Sequence, residues 1–242
     1  MTTGHHIVKS YDDELKALND TIIEMANLTE IQFESAIQAL MNQDTELAYK
    51  IIKDDDRIDD LNHEVDEMTM KLLALRQPMA MDLRNVVAAI KISSDLERIA
   101  DYATNMARRT VPLINEGTVI RPIHNIPRMG EAVIEMLKNV VDAYIAGDAD
   151  KAVAVWHADK AVDEMYVSLF RELLTYMMED ASHITPCTHV LFIAKNIERM
   201  GDHVTNVCET VYYLVRGEPL REDRVRKTRT DRLLTDDIET KE

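Results

Sequence analysis

Two stretches of this sequence carry acids at a spacing suited to holding a cation. The first runs Ser94-Asp95-Leu96-Glu97-Arg98-Ile99-Ala100-Asp101-Tyr102-Ala103-Thr104-Asn105. The second runs Lys195-Asn196-Ile197-Glu198-Arg199-Met200-Gly201-Asp202-His203-Val204-Thr205-Asn206. Each reads Glu-Arg, then Asp four positions after the Glu, then Thr-Asn. A helix turns about 100° per residue, so Glu97, Asp101 and Asn105 share one slowly drifting stripe, as do Glu198, Asp202 and Asn206. Upstream lie two further acidic pairs, Asp55 with Asp59 and Asp159 with Asp163. Carboxylates, Asn and water are hard oxygen donors, suited to Mg²⁺, Mn²⁺ and iron and less to a closed structural zinc site. The set predicts divalent or trivalent ions among Mg, Mn, Fe and Zn without selecting one.

A single carboxylate pair at i, i+4 is ordinarily a solvated face, and its repulsion costs only a few tenths of a kcal/mol. Four acids within about 5 Å are different, because each close pair repels by roughly 3 kcal/mol at an effective dielectric of 20. Such a group persists with a cation, with protonation or with basic partners. Arg98 and Arg199 adjoin the glutamates and so are expected to point about 100° away. Lys195 precedes Glu198 by three and offsets part of the charge, whereas Ser94 takes that place in the first stretch. A ferritin-like di-iron oxidase needs Glu-x-x-His motifs, and none occurs. His203 answers to Tyr102, and His63 and His157 have no counterparts, so they read as surface or satisfied histidines. Walker loops, dinucleotide fingerprints, nucleophile elbows and metalloprotease motifs are absent. A metal-dependent, carboxylate-bridged hydrolase or oxidase is the enzyme alternative, and it rests on the acids alone.

The elements that must position these acids are helices. Only 6 Gly, 6 Pro and 5% aromatics stand against 14 Met among 242 residues, a balance that favours helix. Leu15, Leu18, Ile22, Met25, Leu28, Phe33, Ile37 and Leu40 recur at helical spacing and predict a first helix over about 11–41. Asp44 caps a second over 45–77, which Pro78 stops, and a third runs over about 79–115 to Gly117. Residues 117–127, with Arg121-Pro122 and Ile126-Pro127, read as a linker. A fourth helix over about 128–146 stops at Gly147. A fifth over 149–180 is capped by Asp148, and a sixth is opened by Thr185 and Pro186 and closed by Gly217. The methionines Met68, Met70, Met79, Met81, Met177 and Met178 read as core filler. Residues 218–242 read as a polar, partly disordered tail.

The formal charge of −16 argues against general nucleic-acid binding and fits attraction for cations or basic surfaces. No run of about 18 apolar residues and no signal-peptide pattern occur, which together predict a cytoplasmic protein. Cys187 and Cys208 sit on one predicted helix, roughly 31 Å apart, and read as buried thiols.

The chain repeats itself. Gln43-Asp44-Thr45-Glu46-Leu47-Ala48 matches Gly147-Asp148-Ala149-Asp150-Lys151-Ala152 at a displacement of 104 residues, and Glu97 matches Glu198 at 101. An all-α fold of two tandem three-helix bundles with six long helices follows, with repeats at 1–117 and 118–217. The second and third helices form a hairpin, so residues equidistant from its turn lie side by side. Asp59 with Glu97, and Asp55 with Asp101, both centre on position 78, which is Pro78. The equivalent pairs of the second repeat centre on 180.5, slightly short of its turn. Four carboxylates are expected to converge in each half.

The doubled Leu96-Glu97-Arg98-Ile99-Ala100-Asp101 and Ile197-Glu198-Arg199-Met200-Gly201-Asp202 resemble the PhoU family, the accessory regulators of bacterial phosphate uptake. So do the Arg-Gln-Pro and Asp-Leu-Arg within 71–84, and Leu-Thr-Tyr-Met-Met-Glu-Asp at 174–180. The likeness spans about residues 10–217. It implies bundles related by a pseudo-twofold, a cytoplasmic location and a homodimer. It also implies a negative regulator of the phosphate regulon. The partners would be the sensor histidine kinase of the phosphate two-component system and the ATPase subunit of the phosphate ABC transporter, with the membrane approached only through them. Acidic motifs that bind metal in such proteins match Asp55, Asp59, Glu97 and Asp101, then Asp159, Asp163, Glu198 and Asp202. Asn105 and Asn206 are added as further ligands from their place on the same stripes.

Overall fold

The computed structural model describes residues 3–117 and 121–220. The expected tail beyond residue 220 lies outside them. Apolar residues at helical spacing give each rod one buried stripe, and pairing these stripes builds the molecule. Helix α1 (Thr3–Met41) buries Leu18, Ile22, Met25, Phe33 and Leu40. Gln43, with φ 54°, turns the chain, and the Asp44 carboxylate accepts from the Leu47 amide to start α2 (Thr45–Asp54). The expected second helix is broken at Asp55, and α3 (Asp56–Arg76) continues it. At the break the Ile58 amide donates to the Asp55 carbonyl, a tighter i→i−3 turn. The cause is visible in the residues. Here the chain reads Lys53-Asp54-Asp55-Asp56, and the second repeat reads His157-Ala158-Asp159-Lys160. Three adjoining aspartates repel and form helix poorly, whereas Ala and Lys form it well.

Helix α4 (Met81–Asn115) carries the first motif. The expected linker proves shorter than its prolines suggested. A 3-10 turn covers Arg121–Asn125, and α5 (Ile126–Ala146) begins with Pro127 in its first turn. Asp148 caps α6 (Ala149–Glu179), which passes Asp159 unbroken. Asp180 caps a short 3-10 turn (Ala181–His183), and α7 (Ile184–Arg216) follows. Thr185 therefore lies inside the first turn of α7 and is not its cap. Gly217, with φ 76°, closes α7.

Helices α1 to α4 pack on one another, α5 to α7 on one another, and α4 lies along α7 between the groups. One core runs through both. Contacts along this seam pair Glu116 with His189, Arg109 with Phe192, Tyr102 with His203, Asp95 with Asn206, and Arg84 with Gly217. One number falls as the other rises, so the two helices are antiparallel. Tyr102 and His203 are equivalents under the repeat, and their rings lie 5.6 Å apart between centroids. The pseudo-twofold axis passes between them.

The methionines depart from the core assignment. Met68 and Met177 pack against the core, but Met70, Met79, Met81 and Met178 are exposed. All four lie in or near the two hairpin ends, where the rods have no neighbour beyond them.

Candidate functional site

In the first repeat the hairpin of α2/α3 and α4 brings Asp55, Asp59, Glu97 and Asp101 within electrostatic reach of one another. The Glu97 carboxyl is pushed above its ordinary value by burial, then by Asp101, with Arg98 opposing and Asp59 and Asp55 adding. Asp59 is raised by burial, then by Asp55, Asp101 and Asp56, while His63 opposes. The shared level centred on Pro78 is thus where these acids meet. Asp55 is the most firmly held. Thr104 Oγ1 donates to its Oδ1 at 2.8 Å, and Gln32 Nε2 lies 2.9 Å from the same oxygen. Gln32 Nε2 also reaches Thr104 Oγ1 at 2.8 Å and the Ala100 carbonyl at 3.2 Å. This fixes Oδ1 by two hydrogen bonds.

Arg98 does not point away as expected. Its flexible chain curls back, placing Nε 3.4 Å from Glu97 and Nη1 3.1 Å from Asp101. The guanidinium is half exposed, so the pairing is weak and easily displaced. Arg199 instead lies over the Tyr102 ring, 5.9 Å from its centroid.

The second repeat gathers fewer free charges. Glu198 is raised by burial, opposed by Lys195, and raised again by Asp202 and Asp163. Lys195 Nζ stands 2.6 Å from Glu198 Oε2 and 5.2 Å above the Tyr166 ring. Asp159 is 1% exposed and turned inward, against Gly201. Its charge, after burial, helps to push the Cys208 thiol up. The place of Gln32 is taken here by buried Met136, which offers Asp159 no hydrogen bond.

The two asparagines lie at the edges of their stripes. Asn105 accepts from Arg108 at 3.1 Å. Asn206 donates across the seam to Asp95 at 3.2 Å, beside His203, whose Nδ1 is 2.8 Å from the same carboxylate. His63 bonds the Asp59 carbonyl in its own helix, as a satisfied histidine does.

Among the described residues, no three His, Cys, Asp or Glu side chains are placed as a ready-made metal cage. The donor chemistry of the first repeat nonetheless suits a hard cation: four carboxylates, like-charge strain at two of them, and a displaceable surface arginine. The second repeat supplies its own ammonium. Gln32 and Asp95 escaped the sequence reading. Gln32 lies outside the motif, and its one signal is a polar residue where the repeat has Met136. Asp95 faces Asn196 in the repeat, so no shared pattern marked it.

The model of the PhoU domain matches this chain twice, over residues 22–110 and 126–211. A phosphate-specific transport system accessory protein PhoU homolog of Zymomonas mobilis is 48% identical over 217 residues, covering 90% of this chain and 91% of that protein. Its namesake from Rhizobium meliloti is 42% identical over 228 residues, covering 94% of this chain and 96% of that protein. The crystal structure of PhoU from Pseudomonas aeruginosa superposes with a TM-score of 0.83 at 38% identity, covering 86% of this chain and all of that one. The phosphate transport system regulatory protein PhoU from Streptococcus pneumoniae gives 0.81 at 29% identity, covering 88% of this chain and all of that one.

Proposed function

The chain belongs to the PhoU family, and we propose that it is an accessory protein of a phosphate-specific transport system that represses phosphate uptake and the phosphate regulon. It acts without catalytic turnover, as a homodimeric adaptor on the cytoplasmic side. It links the ATPase subunit of the transporter to the sensor histidine kinase. Among the described residues, no helix is long and apolar enough to cross a membrane. The accessory and regulatory names of relatives aligned over nearly the full chain support this role.

The observation that carries the metal part is the coupled set Asp55, Asp59, Glu97 and Asp101, in which burial and mutual repulsion raise Glu97 and Asp59. These four residues hold the ion, with Asn105 at the edge of the set. Asp159, Asp163, Glu198, Asp202 and Asn206 form the weaker counterpart. A hard cation held there would supply the positive charge that offsets the four carboxylates. Gln32 and Thr104 orient Asp55 for it. Arg98, half exposed beside Glu97 and Asp101, would be displaced by such an ion at little cost.

Deleting the gene is expected to leave alkaline phosphatase high in phosphate-rich medium, and normal repression would overturn the regulatory reading. Complementation with Asp59→Asn/Glu97→Gln is expected to fail although the protein folds. Full repression by that variant would remove the metal from the role.

A further inference from the structure

The outer side of the α4–α7 seam carries cations that the described fold does not pair. On α4, Lys91, Arg98, Tyr102 and Arg109 lie at i, i+7, i+11 and i+18, which a helix keeps within about 20° of one stripe. On α7, Phe192, Arg199 and His203 repeat the spacing at i, i+7 and i+11. Contacts of Arg109 with Phe192, Arg199 with Tyr102 and Asp95 with Asn206 bring the stripes edge to edge as a trough. The acids along it are already engaged. Asp95 accepts from Asn206 and bonds His203, and Glu209 takes the Trp156 indole N–H at 3.2 Å. Arg98 pairs with Glu97 and Asp101. Its equivalent, Arg199, is released because Lys195 stands against Glu198. Asp202, one turn on, is exposed and leaves Arg199 to the Tyr102 ring. Arg109 likewise rests on a ring, 4.4 Å above the centroid of Phe192. A guanidinium held flat on a ring keeps its N–H edge free to donate. Lys91, Arg109 and Arg199 form no ion pair among the described residues. In a chain of formal charge −16, three such cations along one trough mark a surface complementary to acids from elsewhere. Beyond Lys91 the trough opens, because the equivalent of Arg109 is the buried Thr210. A groove of about 670 Å³ lies there, with apolar walls from Ile90, Tyr213, Pro219 and Leu220.

We propose that this trough docks an acidic amphipathic helix of a partner protein. The levels of the cations fit one. Arg199 stands level with Tyr102, seven residues from Arg109 along the seam, or about 10 Å. Lys91 lies eleven residues further, or about 16 Å. Acids at i, i+7 and i+18 of a docked helix share one face at those spacings. Apolar side chains of the same face meet Phe192, which is 45% exposed, and enter the groove beside Tyr213. A flat bilayer does not follow a trough, and nucleic acid is repelled by the rest of this acidic chain. The inference rests on the adaptor reading for the existence of a partner. Its test uses neither transporter nor kinase, so its failure leaves the gene-deletion test of that reading untouched.

Fluorescence anisotropy with the full chain tests this. The probe is a labelled helical peptide of about two dozen residues, with glutamates at i, i+7 and i+18 and leucines between them on the same face. It is expected to bind about tenfold more tightly than a version with glutamines in their place, or with the glutamates moved two positions on to the far face. Arg109→Gln/Arg199→Gln is expected to lose that advantage. Arg109→Glu/Arg199→Glu is expected to prefer a peptide with lysines at the same positions, a reversal that a misfolded variant does not produce. Equal binding of the first three peptides, no binding of any, or full preference retained by Arg109→Gln/Arg199→Gln would overturn the proposal. Loss of self-association in that variant, read by sedimentation, would assign the trough to a second copy and overturn it too. Binding of phosphatidylglycerol vesicles through the same two arginines would assign it to a lipid surface, with the same consequence.

Discussion

The two acidic sites descend from one pattern but balance their charge differently. In the first, Asp55 is half-buried and held by Gln32 and Thr104, and Asp59 presses on Glu97 while a half-exposed Arg98 relieves Glu97 and His63 relieves Asp59. In the second, Asp159 is turned inward beside Gly201, and Lys195 stands against Glu198. Duplication kept the carboxylates while changing what neutralises them. A site with its own ammonium needs an external cation less than one without.

Metal addition gives the largest expected separation. Mn²⁺ held by the folded protein at one hundred times its dissociation constant stabilises it by about 2.7 kcal/mol. Thermal unfolding is expected to show most of that gain lost in Asp59→Asn/Glu97→Gln and much less lost in Asp163→Asn/Glu198→Gln. Equal losses would erase the distinction between the sites.

Gly201 offers a purely steric version of the same contrast. A Cβ there would stand 2.7 Å from Asp159 Oδ1, and that carboxylate, buried among packed neighbours, has nowhere to retreat. Gly201→Ala is expected to cost about 2 kcal/mol in urea unfolding without a change in slope. The first repeat already carries Ala100 at this position, where Asp55 sits outside the core. Gln32→Met, which copies Met136 into the first repeat, is expected to cost about 1 kcal/mol by leaving Asp55 with fewer donors. Isothermal titration should show it weakening Mn²⁺ binding as well, because Asp55 loses its fixed orientation.

Much of this was legible in the residues. The helical stripe of Leu18, Ile22, Met25 and Phe33, the caps Asp44 and Asp148, and the stop at Gly217 are local signals, and each appears where its chemistry requires it. The meeting of Asp59 with Glu97 followed from symmetry about Pro78. The rest depended on contacts made at a distance or on flexible atoms. The aspartate run at 54–56 announced the break at Asp55 only weakly, because propensity penalties for three aspartates are small until they act together. Arg98 was misjudged because backbone direction does not bind a long side chain. The exposed Met70, Met79, Met81 and Met178 obey helical spacing, but the hairpin ends offer nothing for them to pack on.

The smallest expected effect isolates the charge balance itself. Glu97 and Asp59 are raised above ordinary values of 4.5 and 3.8 in the folded chain. The folded state therefore binds protons more tightly than the unfolded one, and protonation stabilises it. That contribution is complete below those ordinary values and is lost as pH rises through the folded ones. Glu97→Gln, made without metal, is expected to raise stability at neutral pH by a few tenths of a kcal/mol and to flatten its fall with pH. Ser94→Lys should do part of the same by placing an ammonium three residues before Glu97, as Lys195 stands before Glu198. Lys195→Ser should make the decline steeper, since it removes the ammonium whose hydrogen bond and charge both lower Glu198. Parallel behaviour of Ser94→Lys and Lys195→Ser would show that the ammonium does not distinguish the sites. Opposite slopes in denaturation between about pH 4 and 7 would show that one lysine does.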